Sequence, residues 1–194
     1  MNNRVMTGMM MLLVLLTAAS TGHAQAPGRV SRPALEAAFT WGATRANIVP
    51  GQTFWMQGGT LQLHARIGHG LGVAWGGSMF RTDQMSSSGV GLDLYTLSIG
   101  PRYTWSPRNS RLGLQAQCLV GEAWGRNSYF PTLTGVHTSD QGLEVEAGGG
   151  ANLRLTPHTS IQLLHADWVR TALGNASTGR QYSLRLGSGF AVRF

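Results

Sequence analysis

The segment Tyr182-Ser183-Leu184-Arg185-Leu186-Gly187-Ser188-Gly189-Phe190-Ala191-Val192-Arg193-Phe194 closes the sequence, and its alternation decides the fold. Residues 182, 184, 186, 190, 192 and 194 are apolar or aromatic, whereas 183, 185, 187, 189 and 193 are polar, charged or glycine. Side chains alternate between the two faces of a strand, so a period of two collects the apolar groups on one face. The other face carries two arginines, which an apolar core would accept only with partners. The segment therefore reads as a strand with one greasy and one wet face.

The same period recurs upstream. It runs over Ala34–Gly42, Gly59–Ile67, Leu71–Phe80, Leu92–Trp105, Arg111–Trp124 and Leu143–Leu155, giving, with the last segment, seven clean alternations. An eighth segment, after Thr156-Pro157-His158, breaks step: Ile161 and Leu163 share one parity, and Leu164, Ala166 and Trp168 the other. One extra residue near Leu163 and Leu164, a β-bulge, reconciles the halves and keeps Gln162, His165 and Asp167 on the polar side.

The connections alternate in length. Ala43–Gly58, Arg81–Gly91, Gly125–Gly142 and Thr171–Gln181 are long, whereas Gly68–Gly70, Ser106–Ser110 and Thr156–His158 are short and rich in turn formers. Long loops on one rim and tight turns on the other predict an all-β, eight-stranded antiparallel up-and-down transmembrane β-barrel with its turns toward the periplasm. Charge placement agrees. Glu36, Arg66, Arg102, Glu144, Glu146, Arg154, Asp167, Arg185 and Arg193 all fall on the polar face by parity, while the apolar-face exceptions Asp93, Glu122 and Arg170 lie near strand ends. An arginine facing lipid at the midplane would cost roughly 2–4 kcal/mol, falling toward zero at the interfaces. Trp41, Trp75, Tyr95, Trp124, Trp168 and Tyr182 gather toward the long-loop ends, and Tyr103, Trp105 and Phe194 toward the short-turn ends, as two aromatic girdles would.

At the other terminus, Arg4, the apolar run Met9–Ala19 and the small residues through Ala26 have the order of a secretory signal peptide. Residues 1–24 are expected to be removed, with cleavage after Ala26 as the alternative, leaving residues 25–194 as one outer-membrane barrel domain. All 15 basic residues are arginines; without Arg4, 14 face 8 acids, a formal charge of +6. They are dispersed singly along the strands, which argues against a nucleic-acid partner. The single cysteine, Cys118, permits no intrachain disulfide.

The terminal run Phe190-Ala191-Val192-Arg193-Phe194, ending in an aromatic on the apolar face, resembles the recognition strand read by the bacterial barrel-assembly machinery. With the signal segment, the eight alternations, Ile99-Gly100-Pro101-Arg102-Tyr103 and Gly148-Gly149-Gly150-Ala151-Asn152-Leu153-Arg154, the chain resembles the OmpA-like outer-membrane β-barrel domain family. That resemblance implies outer-membrane localisation, contact with outer-membrane lipid, and biogenesis through periplasmic chaperones and the assembly machinery, with Phe190, Val192 and Phe194 as the assembly signal. A monomer is expected. Full-length OmpA-type proteins carry a soluble peptidoglycan-binding domain after the barrel, whereas this sequence stops at the last strand.

Catalytic and cofactor chemistry find little support. Lipid A deacylases are similar in size and use a His-x-Ser pair with an acid, so His137-Thr138-Ser139 with Glu144 or Glu146 forms the enzymatic alternative. Its placement in the long segment Gly125–Gly142 argues instead for an extracellular loop. His64 beside Arg66, and His165 beside Asp167, lack the convergent ligands of a metal site, and no cofactor is expected. Gly68-His69-Gly70-Leu71-Gly72 is not followed by a helix pattern and reads as a turn, not a phosphate loop. The expected function is a structural or surface-interaction barrel, with a lipid-modifying enzyme or a small pore as alternatives. Five arginines and four acids on the polar face predict an interior ion-pair network, with Arg66, Arg102 or Arg154 meeting Glu144 or Glu146. Such a network would plug the lumen.

Overall fold

A computed structural model describes residues 35–49, 52–83, 90–107, 110–132, 135–174 and 179–194. The segment expected to be a signal peptide lies outside the described residues. Eight strands follow in order: β1 (Leu35–Val49), β2 (Gln52–Gly68), β3 (Leu71–Thr82), β4 (Leu92–Trp105), β5 (Leu112–Thr132), β6 (Gly135–Arg154), β7 (Thr159–Thr171) and β8 (Gln181–Arg193). Each pairs antiparallel with the next, and β8 returns to β1, so the sheet closes into a barrel. Closure satisfies the backbone groups that an edge strand would leave open to hydrocarbon. At the seam Phe39 pairs with Phe190, their ring centroids 5.9 Å apart, and the Phe194 amide donates to the Leu35 carbonyl over 2.9 Å.

Parity fixes the faces as expected. In β3 the buried residues are Gly72, Ala74, Gly76, Ser78 and Phe80, while Leu71, Trp75 and Met79 are exposed outward. Apolar side chains on the outside and Thr60, Gln62, His64, Thr96 and Ser98 buried inside invert a soluble protein, as a barrel solvated by lipid requires. The bulge in β7 is present: Gln162 pairs with Gly189 but His165 with Gly187, and the intervening Leu163 and Leu164 both point outward. The β2–β3 turn is a two-residue hairpin in which His69 (φ 50°) and Gly70 (φ 88°) are both left-handed, the type I′ geometry that matches strand twist.

Two of the expected long loops are instead strand. Ala43–Gly58 is mostly hairpin, since β1 continues to Val49 and β2 begins at Gln52; Gly125–Gly142 likewise belongs to β5 and β6, separated only by residues 133–134. Beyond the hydrocarbon the outside of the barrel meets headgroups and then water, so the pattern flips: Arg45, Asn47, Thr53 and Gln57 are exposed beside Trp55, while Ala46, Phe54 and Met56 are buried inside. A search for apolar-out alternation stops where the lipid stops, although the strand does not. The β3–β4 and β7–β8 connections remain outside regular structure where described.

Candidate functional site

The interior is built in layers. At the periplasmic end Glu36 of β1 receives two arginines: Arg102 Nη2 donates to its Oε1 at 2.8 Å and Arg193 Nε to its Oε2 at 2.7 Å. Arg102 reaches across the lumen from β4 and is buried. Its Nη2 also donates to Gln115 Oε1, which accepts a second bond from Asn152 Nδ2 at 2.9 Å.

The next layer holds Gln117, Glu144, Glu146, His165, Asp167 and Arg185, all buried. Arg185 Nη1 donates to Glu146 Oε2 at 3.0 Å and its Nη2 lies 3.6 Å from Glu144 Oε1. Gln117 Nε2 donates to Glu146 Oε1 at 2.8 Å and Asp167 Oδ1 at 3.2 Å. By sequence His165 has Asp167 beside it but not the convergent ligands of a metal site, yet Glu146, His165 and Asp167 bring their ligand atoms within 4.8 Å of one another. Gln115 Oε1 accepts from Arg102 and Asn152, and its Nε2 faces His165 Nδ1 at 3.2 Å. On its other side His165 Nε2 lies 2.6 Å from Asp167 Oδ2 and 3.5 Å from Gln117 Nε2. Gly148 makes room for the cluster: a Cβ there would lie 2.1 Å from Asp167 Oδ1 and 2.3 Å from the Ala166 carbonyl oxygen.

The expected pairing of the charges is therefore corrected. Glu144 and Glu146 are served by Arg185, whereas Arg102 and Arg193 share Glu36. Arg154 is exposed at the periplasmic end of β6, and Arg66 is only partly buried near the end of β2. Neither belongs to the Glu144–Glu146 cluster.

Toward the outside the lumen turns apolar. Ala46, Phe54, Met56, Phe80, Leu92, Leu94, Ala123, Phe130 and Leu173 form one buried cluster across the extracellular mouth. Phe130 folds in over Gly125, where a Cβ would come within 2.4 Å of its ring. The Arg185 guanidinium lies 4.8 Å above the Phe80 ring and joins the charged layer to this plug. Parity alone missed the plug because inward positions were taken as polar throughout; the signal was there in Phe54, Met56, Phe80, Leu92 and Leu94, all of inward parity. Between the two layers a cavity of about 10 Å³, lined by Thr40, Thr60, Phe80, His165 and Arg185 among others, has room for about one water. An eight-stranded interior is narrow enough for side chains to fill, and here they do.

On the outside, β5 and β6 run 21 and 20 residues, against 12 for β3. Crossing a bilayer takes about 9–11 residues per strand, so this hairpin continues roughly 30 Å farther along its strands. Residues 135–139, Val136 among them, are exposed on both faces, and Tyr129 of β5 is exposed as well. His137 and Ser139 sit here in β6, not in a loop, on its outward parity. Glu144 and Glu146 have the opposite parity and are buried in the lumen, so the deacylase-like set is not assembled. At the carboxyl end Phe190 and Phe194 face outward and Val192 is partly buried.

An apolar exterior with aromatic groups at both ends, a polar interior and eight closed antiparallel strands define a membrane-spanning barrel of the bacterial outer membrane. No protein family and no curated protein matches the sequence. Among solved structures, Neisserial surface protein A matches with a TM-score of 0.63 and 13% identity over 83% of this chain and 97% of that one. Ail, the attachment invasion locus protein of Yersinia pestis, in complex with the heparin analogue sucrose octasulfate, matches with 0.50 and 19% over 81% and 98%. OprG from Pseudomonas aeruginosa matches with 0.51 and 11% over 84% and 97%. The chain has an OmpA-like barrel fold and is an integral outer-membrane protein.

Proposed function

We propose that the protein is a sealed barrel whose work is done outside the membrane, with the β5–β6 hairpin, supported by β1–β2, as its interaction surface. The observation that carries this reading is the pairing of a filled lumen with a hairpin far longer than the bilayer requires. Hydrogen-bonded strands hold an exposed surface in one shape, which lowers the ordering cost of binding. Two fold neighbours bear names of surface and attachment proteins, which accords with such a role. Ring closure leaves no free strand edge for self-association, which favours a monomer. The outward Phe194 favours delivery by periplasmic chaperones to the barrel-assembly machinery.

The test compares cells displaying the intact chain with cells in which residues 128–139 are replaced by a two-residue turn, for binding to immobilised heparin and to extracellular-matrix proteins. Loss of binding with the barrel still folded supports the reading. Equal binding by both, or a large stable conductance of the unmodified barrel in planar bilayers, would overturn it.

A further inference from the structure

The outward-facing strand positions are polarised in charge. Arg45 on β1, Arg81 on β3, Arg126 on β5 and Arg170 on β7 all have outward parity, and all lie toward the extracellular ends of their strands. At the opposite ends the outward positions are apolar or aromatic, among them Leu35, Ile67, Leu71, Trp105, Ile161 and Val192. The four arginines are not equivalent. Arg81 is occupied, its Nε lying 3.0 Å from Asp83 Oδ1 and 3.5 Å from Asp93 Oδ1, and Arg126 stands in register with that same Asp93. Arg45 and Arg170 pair with no carboxylate among the described residues.

These two flank one strand. Arg170 is in register with Tyr182 of β8, and Arg45 with Leu184, two residues farther along β8; their Cα atoms are therefore roughly 12 Å apart. Both guanidinium groups can reach a common ligand over that distance. Trp168 stacks on Tyr182 with centroids 5.7 Å apart and planes at 26°, and Trp55 stands opposite Arg45. Tryptophan and tyrosine mark the level where hydrocarbon gives way to headgroups. Lipid phosphates lie at and just beyond that level, and a guanidinium such as that of Arg45 or Arg170 binds phosphate oxygens with a fork of parallel N–H donors.

We propose that Arg45 and Arg170, with the Trp168–Tyr182 stack and Trp55, form a binding site for the phosphorylated sugar headgroup of an outer-leaflet glycolipid. The arginines take the phosphates and the aromatic rims lie along the sugar and acyl boundary. This site rests on the membrane placement of the barrel and not on the role of the β5–β6 hairpin.

The experiment uses the full barrel folded in phosphatidylcholine nanodiscs, with diphosphorylated lipid A and its dephosphorylated form as probes and native mass spectrometry of the released barrel as readout. Diphosphorylated lipid A should stay bound to the wild type, and at least about tenfold less to R45Q/R170Q. The R81Q variant should retain it. Dephosphorylated lipid A should be lost from the wild type, an arm that needs no variant to fold. Equal retention of the two lipids, equal retention by R45Q/R170Q, or complete displacement by inorganic phosphate or heparin would overturn the assignment to a lipid headgroup.

Discussion

Replacing Arg185 with methionine should be among the most damaging single changes in the barrel, and its cost follows from the interior geometry. The Arg185 side chain is 3% exposed and is the cation for two carboxylates, Glu146 at 3.0 Å and Glu144 at 3.6 Å. R185M fills much of the volume and keeps contact with Phe80, so the cavity term stays small. Two buried carboxylates then lose their counter-ion. Breaking a buried pair by removing one partner costs about 3–5 kcal/mol, because the surviving charge is neither paired nor solvated. Adding E144Q and E146Q removes the stranded charges, and the triple variant should recover more than half of the loss. Urea unfolding of the refolded barrel in phospholipid vesicles, followed by tryptophan fluorescence, measures all three proteins. A loss below about 1 kcal/mol for R185M would mean that solvated charges occupy the lumen and would refute the packed ion-pair reading. So would a triple variant no more stable than R185M.

Further outcomes follow from the same interior and from the seam. The unmodified barrel should show no large, stable conductance in single-channel recordings, and M56S/F80S, which makes the apolar mouth small and polar, should raise whatever conductance there is. E146A leaves Arg185 only the longer contact to Glu144 and Gln117 only Asp167, and should lower stability in the same urea assay by about 1.5–3 kcal/mol, the worth of hydrogen bonds to a charged group; a neutral result would count against the network. G148V places its Cβ against Asp167 and the Ala166 carbonyl and should lower folding yield sharply, whereas a valine at outward-facing Ala147 should be tolerated. Replacing Phe194 by aspartate should reduce outer-membrane levels more than R193M, which costs stability through the loss of the Glu36 contact but leaves the terminal aromatic in place; equal levels would sink the assembly role of Phe194.

Strand periodicity is a local property, and the sequence by itself determined what depends on it: eight strands, which face of each meets lipid, the bulge at Leu163 and Leu164, and the His69–Gly70 turn. Each is written in the parity of neighbouring residues, because an outward charge or an inward leucine is penalised by its own surroundings. The partners of the charges were not written there. Which inward group meets which depends on the residues facing one another across the lumen, set by strand number and stagger and not by distance along the chain. Thus Arg102 finds Glu36 from the far side of the barrel, Arg185 rather than Arg66 or Arg154 takes Glu144 and Glu146, and Glu146 converges with Asp167 on His165. Strand ends beyond the bilayer were equally illegible, since the rule relating apolar groups to the outward face holds only while the outside is lipid. Only the tertiary structure decided that Phe54 and Met56, from an expected loop, meet Phe80, Leu92 and Leu94, from two alternating segments, at one level and close the mouth.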